Sequence, residues 1–240
     1  MRVTTEALVL HSLRYGDADL VIKLYTRSSG VRSYLVRNAF KRKRSSLKVA
    51  LFQPLSQLQV LAIHRDKGTL ERLVEAKSVY AYTTLATDVI KTSITLFLSE
   101  VLNEAIKEEE ANEPLFDFLS YAFKTLDKAQ SYANFHIVFL LELTKYLGFY
   151  PDITTIDHPV FSLEDGIFGS SFSKDLLVKS PEVDYFKMLL GIKFDDFPEL
   201  QMPKMIRNVI LSTLITYFEL HLQSFRKPKS LAVFNDIFQS

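Results

Sequence analysis

The spacing of apolar residues changes near residue 79 of this 240-residue chain, and the change limits the possible folds more than any other sequence feature. Before it, five short runs rich in Val, Leu, Ile and Tyr alternate in or near a period of two, which is typical of half-buried strands. Breaks around Gly16, Gly30 and Gly68 separate several of the runs. Five strands in about 75 residues predict a small closed barrel or a sandwich, and five is the strand number of the OB barrel. The runs cover residues 6–13, 19–26, 31–38, 55–64 and 68–76.

Beyond residue 79 the apolar spacing becomes helical. Residues 80–110 repeat apolar side chains at intervals of three and four, which predicts an amphipathic helix. A second helix is predicted over 112–129, with Asn112 as its N-cap. A third, over 132–151, is apolar nearly all round and ends at Gly148, so we expect it to be central.

The remaining chain combines an irregular stretch with two further predicted helices. Residues 152–181 lack a clear period, although "FSLEDGIF" suggests a short hairpin, and helices are expected over 181–192 and 203–225. The fold class is therefore α+β, with an N-terminal five-stranded OB-type β-barrel followed by an α-helical domain. The predicted boundaries are 1–78 for the barrel, 79–150 with 182–240 for the helical domain, and 151–181 for a loop or hairpin insertion.

Positive charge is concentrated in the predicted barrel. The chain carries a net charge of only +1, but residues 1–78 hold 15 Lys and Arg against 6 Asp and Glu, a balance of +9. Phosphate backbone is the usual partner of such cationic strings, because each neutralised phosphate releases condensed counterions. The alternative is a solvated loop that only aids solubility. The predicted DNA-binding residues are Arg14, Arg32, Arg37, Lys41, Arg42, Lys43, Arg44, Lys48, Arg65 and Lys67.

Aromatic residues lie close to this basic segment in the sequence. Tyr15 and Phe40 can stack on exposed bases, as side chains of OB-type folds do on single strands. For Tyr25 and Tyr34 we favour a position in the barrel core.

The sequence lacks the usual signatures of an enzyme. It contains no glycine-rich phosphate loop and no G-x-S-x-G elbow, and the absence of cysteine removes disulfides, thiolate nucleophiles and cysteine zinc sites. Its five histidines are scattered, without a pair at metal-ligand spacing. No apolar run approaches the roughly 18 residues of a membrane span, and the N-terminus lacks a signal-type stretch. We therefore expect a non-enzymatic protein of the cytoplasm, with no cofactor and no membrane partner.

An ordered set of motifs resembles the RecO family of bacterial recombination mediators. The likeness is strong over residues 5–77 and looser beyond, where "LLELTKYLGFYPDI" and "LITYFELHLQSFRKPKSLAVF" are similar to later family segments. No single motif is diagnostic, but their order is that of the family. The N-terminal motifs are Ala7–Leu10, Tyr15–Asp19, Leu24–Gly30, Asn38–Ser46 and Phe52–Leu55.

The resemblance implies an OB domain followed by a helical domain, in a protein that binds single- and double-stranded DNA and anneals complementary strands. It also implies association with RecR, contact with the acidic C-terminal tail of single-stranded DNA-binding protein, and assistance to RecA loading. No nucleotide cofactor is implied. The alternative that remains open is a non-enzymatic adaptor whose basic barrel binds RNA or an acidic protein.

A second expected site concerns the acidic, apolar-ended tail of the partner. Cationic and aromatic residues near the C-terminus suit such a peptide, and one lysine on another helix joins them. A capped helix end, where basic side chains meet the negative end of the helix dipole, is the alternative. The predicted partner-binding residues are Lys124, Phe225, Arg226, Lys227 and Lys229.

One departure from the family is visible in the sequence. Many members carry a four-cysteine zinc module after the segment that resembles "LGFYPDI", but this chain has no cysteine. The lone His158 cannot hold a structural zinc, which takes four ligands. We therefore expect no metal, and we expect Phe161, Ile167 and Phe168 to bury apolar surface in its place.

Overall fold

The computed structural model describes residues 1–40, 49–65, 70–173 and 175–239. The chain forms two compact units, which we call unit 1 and unit 2. Unit 1 comprises residues 1–127 and 228–230, and unit 2 comprises residues 128–227 and the chain from Leu231 onward.

Unit 1 contains the barrel that the sequence predicts. Its strands close in the order β1-β2-β3-β5-β4, because β4 pairs with the first half of β1. All neighbouring strands are antiparallel except β3 and β5, which are parallel. The N-terminal five-stranded OB-type barrel is therefore confirmed. The strands are β1 (Arg2–Tyr15), β2 (Asp19–Thr26), β3 (Gly30–Val36), β4 (Gln57–Ile63) and β5 (Glu71–Tyr80).

The period of two decides which side chains fill the barrel. On β2, Leu20, Ile22 and Leu24 are buried inside, whereas Val21 and Lys23 alternate with them and are only half-buried. Each large apolar side chain that is fully buried stabilises the barrel by roughly 1.5–3 kcal/mol. The core also includes Ala7, Val9, Tyr34, Val36, Ala39, Phe52, Leu58, Val60, Ala62 and Leu73.

Two helices complete unit 1: α1 (Val89–Ala105) and α2 (Glu113–Lys128). The side chain of Asn112 accepts the backbone N–H of Leu115 at 3.1 Å, which confirms it as the N-cap of α2. Helix α1 begins later than the apolar spacing predicts, because β5 runs to Tyr80 and turns follow it.

The buried carboxylate of Asp127 fixes these turns. It accepts backbone N–H groups from Thr83, Thr84 and Leu85 at 3.0, 2.7 and 3.2 Å. Lys91 of α1 donates to the backbone oxygen of Asp127 at 2.9 Å, so α1, α2 and the turns meet at one residue.

Unit 2 is mainly helical and is built around α3, which is buried nearly all round as predicted. Gly148 ends α3 in the left-handed region at φ +82°, where glycine carries no Cβ penalty. The last helix lies beyond the predicted ones, after the break at Pro228. No described helix is long and apolar enough to cross a membrane. The elements are α3 (Phe135–Leu147), β6 (Val160–Ser162), β7 (Ile167–Gly169), β8 (Leu177–Val178), α4 (Glu182–Gly191), α5 (Lys204–His221) and α6 (Leu231–Gln239).

The hairpin β6–β7 forms as predicted and buries two of the three expected side chains. Phe161 and Phe168 face each other across the strands with ring centroids 4.8 Å apart, and Phe186 of α4 lies 4.9 Å from Phe161. The expectation for Ile167 is wrong, since 37% of this residue is exposed. Adjacent residues of a strand point to opposite faces, so Ile167 and Phe168 cannot both enter the core.

Candidate nucleic-acid interface

The described part of the predicted DNA site comprises Arg14, Arg32, Arg37 and Arg65. The basic segment itself belongs to the connection between β3 and β4, as the sequence predicts. Its cations lie outside the described residues, as does one further predicted cation. These six are Lys41, Arg42, Lys43, Arg44, Lys48 and Lys67.

Arg14 lies beside the exposed ring of Phe40 at the end of β1. Its guanidinium carbon is 5.0 Å from the centroid of the Phe40 ring, and its Nη2 donates to the backbone oxygen of Asp17 at 3.0 Å. Tyr15 is 61% exposed and Phe40 41% exposed. A cation beside an accessible ring can contact phosphate and a stacked base together.

The end of β3 is tied to the start of β2, which determines where Arg37 emerges. The side chain of Asp19 accepts the backbone N–H of Asn38 at 2.7 Å, and Phe40 donates its backbone N–H to Ala18 at 3.1 Å. The exposed Arg37 therefore leaves the barrel at the end where β1 turns into β2.

Arg65 is held at the exit of β4 by a buried carboxylate. Both oxygens of Glu71 accept the backbone N–H of Arg65, at 3.0 and 2.9 Å, while the Arg65 side chain is exposed. The hydroxyl of Tyr34 and Nε2 of the preceding residue, His64, form a buried hydrogen bond of 2.8 Å. The backbone of Arg65 is thus held in place, and its side chain faces solvent.

Arg32 is placed differently from the other three. Its guanidinium donates to the Glu109 carboxylate at 2.5 Å and to the Glu109 backbone oxygen at 3.3 Å. Arg27 is similarly engaged, with Glu6 at 2.9 Å and Asp117 at 2.5 Å. The hydrogen bond that Arg27 donates to Asp117 raises the pKa of Arg27, with a further contribution from Glu6. Arg32 is therefore engaged by protein carboxylate and does not join the exposed cations Arg14, Arg37 and Arg65.

The tyrosines of the barrel differ in exposure. Tyr25 and Tyr34 are almost completely buried, and burial raises the pKa of each phenol. The core position of Tyr34 is confirmed, but that of Tyr25 is wrong, because Tyr25 alternates with Leu24 and is buried on the outer face of the barrel, with its ring centroid 6.0 Å from that of Phe116. Tyr15 and Phe40 remain the accessible rings.

The predicted set omits two exposed arginines, Arg2 and Arg72. Both flank Ile63 in the strand register, Arg2 from β1 and Arg72 from β5. Their proximity follows from barrel closure, and nothing in the local sequence signals it.

The predicted partner-binding residues are divided between the units. In unit 1, Lys124 places its Nζ 5.6 Å from the centroid of the Tyr80 ring, and Lys229 is exposed. In unit 2, Phe225 is buried with its ring 5.4 Å from that of Phe218. Arg226 and Lys227 are exposed, and Lys227 lies 3.3 Å from a carboxylate oxygen of Glu219.

The residues present do not fit the zinc module of the resemblance. The sequence has no cysteine, and the described residues hold no group of three or more His, Cys, Asp or Glu that could bind a metal ion. In unit 2 the hairpin instead packs through Phe161 and Phe168 against Phe186.

Comparisons with known proteins agree with this architecture. Residues 1–82 match the family model "Recombination protein O N terminal", and residues 86–232 match "Recombination protein O C terminal". Proteins named "DNA repair protein RecO" from Christiangramia forsetii and Flavobacterium johnsoniae are 45% and 43% identical, each over 99% of this chain and 100% of the relative. The protein of that name from Phocaeicola vulgatus is 36% identical over 98% of both chains. The chain therefore belongs to the RecO family of DNA repair proteins, which are non-enzymatic recombination mediators.

Proposed function

We propose that this protein binds single- and double-stranded DNA without reading sequence, anneals complementary strands, and acts with RecR to load RecA onto strands coated by single-stranded DNA-binding protein. Membership of the RecO family implies DNA binding and RecR association in general terms. Binding without sequence preference, strand annealing and RecA loading go beyond what family membership implies, and they are what we propose.

The observation that carries the proposal is the exposure of Arg14, Arg37 and Arg65 on the barrel. Arg37 leads directly into the basic connection between β3 and β4. None of the three forms an ion pair with a residue that the structure describes. Cations without protein counter-charge remain available to phosphates, and phosphate contacts carry no sequence information.

The first experiment removes the basic connection. Lys41, Arg42, Lys43 and Arg44 are replaced by Ala, and binding of fluorescein-labelled oligo(dT) and of a duplex is measured by anisotropy over a series of salt concentrations. We expect similar weakening for different base sequences. The slope of log K against log salt should become shallower by up to about 3 on single strands, at roughly 0.7 per phosphate.

A matched control removes four exposed lysines from elsewhere and so changes the net charge equally. Lys128, Lys179, Lys193 and Lys204 suit this purpose. Equal losses of DNA affinity in both quadruple variants would show that only the net charge matters. Unchanged DNA binding by the Lys41–Arg44 variant would reject the proposed site.

Annealing of two complementary labelled oligonucleotides tests the mediator activity directly. The native protein should accelerate duplex formation, and the Lys41–Arg44 variant should do so less. An adaptor for RNA or an acidic protein has no reason to speed DNA annealing, so an unchanged rate with the native protein would favour that alternative.

For the tail of single-stranded DNA-binding protein we propose Arg226 and Lys227 of unit 2 as its electrostatic contacts. Both arginine and lysine are exposed, and the Lys227–Glu219 pair is accessible enough to exchange for a peptide carboxylate at little cost. The variants Arg226→Glu and Lys227→Glu should weaken binding of the acidic tail peptide. Lys193→Glu is the control, and undiminished affinity of both variants would reject the contacts.

A further inference from the structure

The outer surface of the barrel at the β2–β3 hairpin is already covered by this chain. At the β2–β3 hairpin, Val31 donates its backbone N–H to Glu108 at 2.9 Å, and the Tyr25 hydroxyl donates to the Asn112 backbone oxygen at 3.1 Å. Gly30 is so close to the same segment that a Cβ there would collide with the backbone of Glu108 and Glu110. We call residues 106–112, between α1 and α2, the acidic linker.

The acidic linker and its neighbours also neutralise the cations of this hairpin. Arg32 is bound by Glu109, Arg27 is bound by Glu6 and Asp117, and Lys23 donates to a backbone oxygen of α1 at 3.1 Å. Burial, followed by repulsion from Lys107, lowers the pKa of Lys23. OB barrels commonly bind oligonucleotides on the face of strands two and three. Here the hairpin half of that face is occupied by the protein itself.

The opposite side of the barrel has a different character. Strand register places Arg2, Ile63, Arg72 and Leu35 side by side on β1, β4, β5 and β3. All four alternate with core residues and therefore face outward. Arg37 follows Leu35 by two residues. We call Arg2, Ile63, Arg72, Leu35 and Arg37 the outer arginine row.

The outer arginine row presents cations separated by apolar surface. Arg2 and Arg72 lie two strand spacings apart, about 10 Å. Both are exposed, Ile63 and Leu35 are half-exposed, and neither arginine forms an ion pair with any residue in the described ranges. The next outward residue paired on β5 is Glu75, and Arg37 lies toward the same side on β3, because β3 and β5 run parallel.

We infer that nucleic acid crosses the barrel along the outer arginine row, with Arg2 and Arg72 on its phosphates, and avoids the β2–β3 hairpin. The inference rests on the proposed function, because it assigns the path of the same strand. The acidic linker repels polyanions from one side of the barrel, while the row and Arg65 attract them to the other. Ile63 and Leu35 supply apolar surface between the phosphate contacts.

A charge-removal experiment tests the path. The double variant Arg2→Ala/Arg72→Ala should bind fluorescein-labelled oligo(dT) more weakly, with a salt slope shallower by about 1.4. The control Lys179→Ala/Lys193→Ala removes two exposed lysines of unit 2 and should leave the slope unchanged. Arg32→Ala should also leave it unchanged. Thermal melting of each variant verifies that it is folded.

A footprinting experiment reports position independently of charge. Because the chain has no cysteine, a single introduced thiol is the only site for maleimide. Saturating oligo(dT) should slow labelling of an Ile63→Cys variant several-fold and should not affect Thr87→Cys, an exposed position on the turns before α1. Equal labelling of Ile63→Cys with and without DNA overturns the inference, and so does an unchanged slope in the double arginine variant.

The proposed function and the proposed path of the strand are rejected by different results. If the Lys41–Arg44 variant loses DNA affinity but the outer arginine row has no effect, only the path is wrong. If the native protein does not bind oligo(dT) at all, the proposed function fails, and the row has no strand to hold.

Discussion

The guanidinium of Arg32 on β3 lies 2.5 Å from the carboxylate of Glu109, which is 77 residues away in the chain. This pair joins the barrel to the acidic linker inside unit 1. Its arginine side chain is only 20% exposed, whereas the glutamate is 71% exposed. The contact is therefore partly screened by solvent, and it directs a basic residue of the barrel toward protein carboxylate instead of toward an external anion.

A double-mutant cycle measures the strength of this pair. Arg32→Ala, Glu109→Ala and the double variant should give a coupling free energy of about 0.2–1 kcal/mol in urea unfolding, because one partner is solvated. Added salt should lower the coupling. A coupling of zero at low salt would mean that the pair does not hold the linker.

Gly30 should be far less tolerant of substitution than Gly16. Both have φ near +60°, but an added Cβ meets nothing within 4 Å at Gly16 and collides with the acidic linker at Gly30. Gly16→Ala should lower the free energy of unfolding by about 1–2 kcal/mol through backbone strain alone. Gly30→Ala should cost about 2–5 kcal/mol because overpacking is added. Equal costs for the two variants would show that the linker does not press on the hairpin.

Asp127 should stabilise unit 1 as an ion. Burial by itself raises the pKa of Asp127, but hydrogen bonds from Thr84, Thr83 and Leu85 outweigh it, so the net pKa is lowered. Asp127→Asn should cost about 1.5–3 kcal/mol at neutral pH in chemical denaturation. Because the folded pKa lies below the unfolded one, the difference from the native protein should shrink as pH falls below the ordinary range of Asp.

The control for this substitution is Asp117→Asn, at an exposed carboxylate that pairs with Arg27. It should cost no more than about 1 kcal/mol. A loss at Asp117 that matches the loss at Asp127 would contradict the special role of the buried site.

His136 should make unit 2 less stable in mild acid. Burial, followed by repulsion from Arg207, lowers the pKa of His136 to about 3. The unfolded chain binds this proton near pH 6.5 and the folded chain does not, so stability falls as pH drops below 6.5. Between pH 8 and pH 5, His136 lowers the free energy of unfolding by about 2 kcal/mol. His136→Gln should flatten the pH dependence by that amount, and an unaltered profile would refute the assignment.

The hairpin of unit 2 should depend on its phenylalanines and hardly on Ile167. Phe161→Ala removes a fully buried ring and should cost about 3–5 kcal/mol. Ile167→Ala lies on the exposed side of the same hairpin and should cost less than about 1 kcal/mol. Hydrogen exchange of the hairpin amides, compared between the two variants, tests whether aromatic packing holds this segment.

Local patterns were sufficient for the type and order of most elements. The period of two in residues 1–78 and the period near 3.6 afterwards are written into neighbouring residues, so the barrel, α2 and α3 follow from the sequence. Charge composition likewise marks the barrel as the basic part of the chain. The helix after Pro228 has too short an apolar pattern to be predicted, and Ile167 depends on the register of a three-residue strand.

Only the tertiary structure decided which cations are free and which are neighbours. Arg2 and Arg72 adjoin because closure of the barrel sets the register of β1, β4 and β5, and Arg32 is neutralised because Glu109 returns to β3 from beyond α1. Asp127 likewise holds the turns before α1 from more than 40 residues away in the chain. Such pairings depend on how the whole chain closes, whereas the periods and charges that define the elements are properties of adjacent residues.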